Sequence, residues 1–185
     1  TIDLSFMKEA PGDLFSFGCE PSLNAYSLDS QVPSLDAKTH PRRYAGEHMH
    51  FGAGVLSLMP TEYRWFRSQD NQIQFIKWLD WYLGAPLTYI LGENTAQFAR
   101  RAHYGKAGEF RFQQYNTEQY GVEYRVPAGG LFNNWGIASW AYGIARWVLE
   151  HFESLTWDRA VESDIQAAIN TGNGFLVIFK DFFSG

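Results

Sequence analysis

The sequence predicts an α+β domain in which antiparallel strands carry helices on one face. Three observations lead there. In Tyr120–Pro127, Val122, Tyr124 and Val126 alternate with Glu123 and Arg125, the period-two pattern of a strand with one buried face. The same pattern occurs upstream in Glu109-Phe110-Arg111-Phe112 and in His48-Met49-His50-Phe51. Between and beyond these stretches, apolar residues fall at helical spacing, as in Ile73, Ile76, Leu79, Tyr82 and Leu83. With 185 residues, 45% of them hydrophobic and 17% aromatic, the chain reads as one domain, 1–185, that can bury a sizeable core.

Taken in order, residues 1–16 form a weak amphipathic opening that stops at Pro11-Gly12-Asp13. Phe15–Tyr26 reads as an extended segment or turn leading to a strand, and Leu28–Pro41, rich in Ser, Asp and Pro, as a loop. Arg42–Gly54 is the first strand, bracketed by Gly46, Gly52 and Gly54. Asp70-Asn71 offers a helix N-cap for Ile73–Leu91, and Gly84-Ala85-Pro86 should bend or break that helix. A short helix covers Thr95–Ala102, followed by the strand pair Glu109–Gln113 and Tyr120–Pro127. Asn133-Asn134 opens a long aromatic helix from about Gly136 to Phe152, read as core or an oligomer interface. Trp157-Asp158 starts another that ends near Asn170-Thr171-Gly172, and Gly174–Phe183 is apolar enough to pack as a strand or docked tail.

The formal net charge of −5 argues against a general nucleic-acid binder. Yet Arg42, Arg43, Arg100, Arg101, Lys106, Arg111 and Arg125, seven of the 15 basic residues, lie in or beside the three alternating stretches. Local basicity in an acidic chain suits an anionic small molecule better than a long polyanion. Cys19 is the one cysteine, so there is neither an internal disulfide nor a cysteine zinc site. The longest mostly apolar run, Ile137–Leu149, is interrupted by Arg146 and too short to span a bilayer, so a cytoplasmic protein without a membrane partner is the expectation.

If the three stretches share a sheet, one face carries two histidines, two glutamates and two arginines. Such a face can bind a divalent cation and the phosphates that travel with it. The strand rise puts His48 and His50 roughly 7 Å apart on one face, where neutral imidazole can ligate metal or donate to a phosphate oxygen. Glu123 with Arg125, and Glu109 with Arg111, have two readings. They are either ordinary cross-strand ion pairs, or carboxylates for a metal beside guanidiniums for a phosphate or carboxylate. Arg100 and Arg101 complement a helix C-terminus, or one of them clamps a phosphate. A metal-oxygenase barrel, which also uses His-x-His, is disfavoured because Phe51-Gly52-Ala53-Gly54-Val55 supplies no following glutamate.

Arg43-Tyr44-Ala45-Gly46-Glu47-His48-Met49-His50-Phe51-Gly52, Tyr104-Gly105-Lys106-Ala107-Gly108-Glu109-Phe110-Arg111 and Tyr120-Gly121-Val122-Glu123-Tyr124-Arg125-Val126-Pro127 resemble the phage-type carboxylate–amine ligases of the glutamine synthetase-like superfamily. Gly18-Cys19-Glu20-Pro21 with Asn24-Ala25-Tyr26 resembles the segment before that family's histidine motif, so the resemblance runs from about Phe17 to Phe152. It implies part of the glutamine synthetase-like catalytic sheet and an ATP- and Mg2+-dependent ligase, in which a carboxylate is activated as an acyl phosphate that an amine attacks. By motif, His48, Glu123 and Glu109 resemble metal ligands and His50 a contact to the transferred phosphate. Arg125 resembles a substrate-carboxylate or phosphate clamp, and Arg111 a nucleotide-phosphate contact. Arg100, Arg101 and Arg43 resemble further cofactor-binding cations.

The chain also departs from the pattern. Gly121 stands where glutamine synthetase has an arginine, and Glu47 where the family has glycine, adding a carboxylate beside the histidines. The family's N-terminal acidic strands have no counterpart, so a second chain supplying acidic ligands, and an oligomer, are expected. The implied function is a ligase for small-molecule carboxylate and amine substrates, or the phosphate-binding half of one. The alternative is a non-catalytic, ligase-derived structural or assembly subunit of a phage particle.

Overall fold

A computed structural model describes residues 22–27, 46–52, 60–92, 95–114, 120–175 and 178. The readings made on residues 1–16, on 28–41 and on Arg42 and Arg43 fall outside these residues. Among the described residues four strands, β1 (Leu23–Asn24), β2 (Met49–Gly52), β3 (Glu109–Gln114) and β4 (Tyr120–Tyr124), form one antiparallel sheet in the order β1-β3-β4-β2. The pairing brings like faces together. Met49, Tyr124, Phe110 and Leu23 align in one row across the sheet, and His50, Glu123 and Arg111 in the next. Side chains of adjacent rows point to opposite faces.

The first row faces the core, with Met49, Phe110 and Tyr124 buried and Val122 and Val126 beside them. Strand β4 ends at Tyr124, but the chain stays extended as far as the sequence predicts. The Arg125 amide donates to the Glu109 carbonyl, the Glu47 amide to Pro127, and Gly46 bridges Ala128. Gly121 is required at the far end of β4, because a Cβ there would collide with the Phe51 carbonyl oxygen of β2.

The apolar face rests on a helical run. Helix α1 (Gln69–Leu79) is capped by Ser68, whose hydroxyl accepts from the Asn71 amide, slightly ahead of the predicted Asp70-Asn71 start. A 3-10 segment, Thr61–Arg67, precedes it, and no periodic pattern announced it. Phe75 of α1 meets Phe51 of the sheet edge-on, with ring centroids 4.9 Å apart. At Gly84-Ala85-Pro86 the helix does not break. It widens into a π-turn, Asp80–Gly84, and resumes as α2 (Ala85–Ile90), the widened turn lying directly ahead of Pro86, which has no N–H to donate to it.

Helix α3 (Thr95–Arg101) follows, and then α4 (Trp135–His151), whose first amides, Gly136 and Ile137, are capped by the Asn134 side chain as its sequence predicts. Helix α5 (Glu162–Thr171) ends at Gly172 in the left-handed region, φ 76°. The tail does not begin as a strand: the Ile178 amide donates to the Gly174 carbonyl, a helical turn. Among the described residues no helix is long and apolar enough to cross a membrane.

One polar group joins sheet and helices from beneath. Asp80, fully buried in the π-turn, accepts hydrogen bonds from the Tyr124 hydroxyl at 2.7 Å and the Gly108 amide at 2.5 Å. It thus holds the helical run to β4 and to the turn before β3. Burial pushes its carboxyl up to about 7 despite the hydrogen bonds from Tyr124, Tyr26 and Gly108 and the nearby Arg101 guanidinium, all of which oppose the shift. Gly84, one turn on, leaves room for this contact. A Cβ at that position would overlap the Tyr124 hydroxyl and lie 3.1 Å from Ile169 Cδ1.

Gly84→Ala should therefore destabilise the protein by about 1–3 kcal/mol, read from urea unfolding, because the added methyl must displace Tyr124 from Asp80. The Asp80 carboxyl carbon, followed by 13C NMR, should titrate with a midpoint near 7. Its native pKa lies above the unfolded value. Its contribution to folding is therefore most favourable in acid and declines by roughly 4 kcal/mol at most as pH rises from about 4 through 7.

Candidate functional site

The second row of the sheet register builds the polar face. His50 of β2, Glu123 of β4 and Arg111 of β3 lie directly opposite one another across three strands. His48, just ahead of β2, reaches the same spot from the strand's polar side. Glu123 is the centre. Its Oε1 takes His48 Nδ1 at 2.5 Å and Arg125 Nη1 at 2.8 Å, and its Oε2 takes Gln113 Nε2 at 2.8 Å. Arg111 Nη1 stands 4.0 Å from Oε2. Burial alone would raise the Glu123 pKa. The hydrogen bond from His48 and the charges of Arg125 and Arg111 outweigh it and hold the carboxyl at about 2. Glu123 is therefore a fixed negative charge at neutral pH.

Tyr104, in the loop after α3, belongs to this cluster and was not singled out in sequence. Its hydroxyl meets His48 Nε2, so both ring nitrogens of His48 are engaged and Nδ1 is the one that faces Glu123. The Tyr104 ring also lies beneath two guanidiniums, Arg125 at 5.0 Å and Arg100 at 5.6 Å from its centroid. The only signal for it was its place in the Tyr104–Arg111 block. Nothing in a one-dimensional pattern says that a loop tyrosine returns to a strand 56 residues away.

Several expected ligands have other engagements. Glu109 was expected to join the metal ligands. Instead its Oε2 accepts the Gly105 and Lys106 amides at 2.5 and 3.1 Å, and its Oε1 lies 3.4 Å from Arg125 Nε. It closes the turn ahead of β3. Arg125, only 1% exposed, bridges Glu109 and Glu123 and so orients carboxylates instead of presenting a clamp. Arg101, equally buried, donates to the carbonyls of Gly105 and Val126 and to Thr88 Oγ1. Arg100 is buried beside it and donates to Val126. Neither arginine presents its guanidinium outward as a phosphate clamp would. Glu47, expected beside the histidines, turns away to accept the Gly130 amide at 3.0 Å. Arg43 lies outside the described residues.

What remains turned toward a ligand is compact. His50 is exposed, and Arg111 and His48 are partly exposed. One donor atom each from His48, His50 and Glu123 lies within 4.8 Å of the others, a grouping that can hold a metal ion. Mg2+ takes near-octahedral oxygen ligands and keeps several waters. Two imidazole nitrogens and one carboxylate already shared with Arg125 and Gln113 do not fit it.

The depressed pKa of Glu123 has a measurable sign. Its stabilisation is fully present above the unfolded value, about 4, and is lost as pH falls through about 2. Glu123→Gln should remove up to about 3 kcal/mol at neutral pH and flatten the acid limb of the unfolding profile below about pH 4.

A family model described as phage phiEco32-like COOH.NH2 ligase-type 2 covers residues 40–179, well over half of the chain. That span takes in β2 through α5, so it extends past Phe152 and leaves out the Gly18–Pro21 segment. No curated protein and no solved structure matches significantly. All three sequence blocks of the polar face fall within the matched span, and the chain belongs to the phage phiEco32-like COOH.NH2 ligase-type 2 family.

Proposed function

We propose that the protein is an ATP-dependent carboxylate–amine ligase, or the phosphate-handling half of one, and that the polar face of the sheet is where the phosphates lie. One observation carries this reading: the cross-strand row of His50, Glu123 and Arg111 on the face turned away from the core. In this reaction the carboxylate oxygen of one substrate attacks the γ-phosphorus of ATP, giving an acyl phosphate and ADP. The amine then attacks the acyl carbon and expels phosphate, leaving an amide. Neither step needs a nucleophile from the protein. Both need positive charge and hydrogen-bond donors fixed around phosphoryl oxygens.

The described side chains suit that task unequally. Arg111, partly exposed beside Glu123, is the guanidinium best able to reach a phosphate oxygen, and the exposed imidazole of His50 is a second donor. Glu123 holds Arg111 and His48 in place by charge, and Arg125 holds Glu123. Mg2+ is left out of this assignment because the donor set does not suit it. The second reading, a non-catalytic structural or assembly subunit, is favoured by a different observation: Glu109 and Glu123 already have protein donors, as a structural ion-pair network would.

A test separates the two. Incubated with ATP, a divalent cation and a panel of amino acids and peptides, the protein should release ADP only when both a carboxylate and an amine are present. Arg111→Ala and His50→Ala should each lower that rate about 100-fold or more with little change in melting temperature. Absence of ADP release across the panel and across cations would reject catalysis by this chain alone; absence of ATP binding as well would reject the phosphate-handling half and leave the structural reading.

A further inference from the structure

We infer that the outward face of α4 is a self-association surface, on which two copies of this chain pair about a two-fold axis with Gly143 at the crossing point. The inference does not depend on the ligase reading. Ala138, Ala141, Ala145 and Val148 turn α4 onto the core. At about 3.6 residues per turn, Gly143 lies about half a turn from Ala141 and Ala145, in the middle of the opposite side. Gly136 and Glu150, each seven residues away, share that line. Trp135 and Tyr142 border it on one side and Trp147 on the other, and they are 83%, 50% and 37% exposed. For aromatic side chains of roughly 150–250 Å2 each, such fractions leave roughly 300–400 Å2 of aromatic surface outside. Soluble monomers rarely leave a larger apolar patch open, and this one is close to half of the roughly 800 Å2 that each partner contributes to a stable interface.

Gly143 points the same way. A Cβ built there meets nothing within 4 Å among the described residues, so no neighbour inside the protein asks for a glycine. Glycine weakens a helix interior, and what it permits in return is close approach of another backbone from outside. Charge selects the occupant. Arg146 and Glu150, on this face, are paired with each other at 2.7 Å, so the surface offers no net charge to a polyanion or an anionic membrane. Two copies can meet there without forcing like charges together, and a two-fold pairing is the commonest way for identical chains to do so. An antiparallel crossing at Gly143 sets each Glu150 over the other copy's Gly136 and brings the two Tyr142 rings side by side near the axis. Trp147 is positioned in advance. The Tyr82 ring meets it edge-on at 5.2 Å and the His151 ring stacks on it at 4.7 Å, so little side-chain freedom is left to lose on association.

The test is sedimentation equilibrium of the whole chain. The expected result is a reversible monomer–dimer equilibrium that favours the dimer at about 100 μM. Gly143→Gln should raise the melting temperature of the dilute, monomeric protein, because glutamine is the better helix former and the space around it is open. The same substitution should weaken the dimer about tenfold or more, a combination that a purely structural glycine would not give. Tyr142→Ala should weaken the dimer by a similar factor with an unchanged far-UV circular dichroism spectrum, since the ring is half exposed. A chain that stays monomeric at about 100 μM overturns the inference, whether Trp135 is then open to oxidative footprinting or covered by another segment of this chain. A dimer whose dissociation constant is unchanged in either variant overturns it as well, because the copies then meet elsewhere.

Discussion

Glu123 and Arg125 are buried together, and the polar half of the molecule is arranged to make that tolerable. Removing two charges from water costs several kcal/mol per ion unless further hydrogen bonds complete the pair. Here they do. Arg125 lies between two carboxylates and over the Tyr104 ring, while Glu123 gathers His48, Gln113 and Arg111 around its two oxygens. These groups come from four stretches of chain, so the network fixes how the segment before β2, the α3–β3 loop, β3 and β4 sit together. Any ligand chemistry on this face inherits that positioning.

The opposite face has its own buried charge. Asp80 lies under β4, where Tyr124 and Gly108 reach it, and it titrates far above the ordinary carboxyl range. The contrast with Glu123 follows from neighbours. Guanidiniums and an imidazole stabilise the anion at Glu123, whereas Asp80 has chiefly neutral donors, and these together with the Arg101 charge do not make up for the loss of water. Successive residues of one strand, Glu123 and Tyr124, therefore lead to carboxyl groups with opposite shifts.

Much of this was legible in the sequence. The alternation in three short stretches identified the strands, assigned their faces and brought His48, His50, Glu123 and Arg111 to one side. The Asn134 cap and the Gly172 stop marked helix ends correctly because those signals are local. What escaped depended on partners distant in the chain. Glu109 and Arg101 carry the residue types of a binding site, yet their partners are backbone amides and carbonyls in the Gly105–Lys106 turn and at Val126, which no pattern of side chains reveals. Tyr104 was hidden for the same reason. The π-turn was missed because Gly84 and Pro86 signal a break in an isolated helix, while here the run continues and its Asp80 is bonded to Tyr124 of the sheet.

Gly121 has a consequence that extends beyond its own strand. The Phe51 carbonyl oxygen fills the space a side chain would need, so this position of β4 is closed to every residue with a Cβ unless the two strands separate. Glutamine synthetase carries a guanidinium at the corresponding place, and in this fold that charge has no room. On the neighbouring strand Arg111 stands directly across from Glu123. The tight seam at Gly121 therefore bars an arginine from this position for as long as β2 and β4 stay paired.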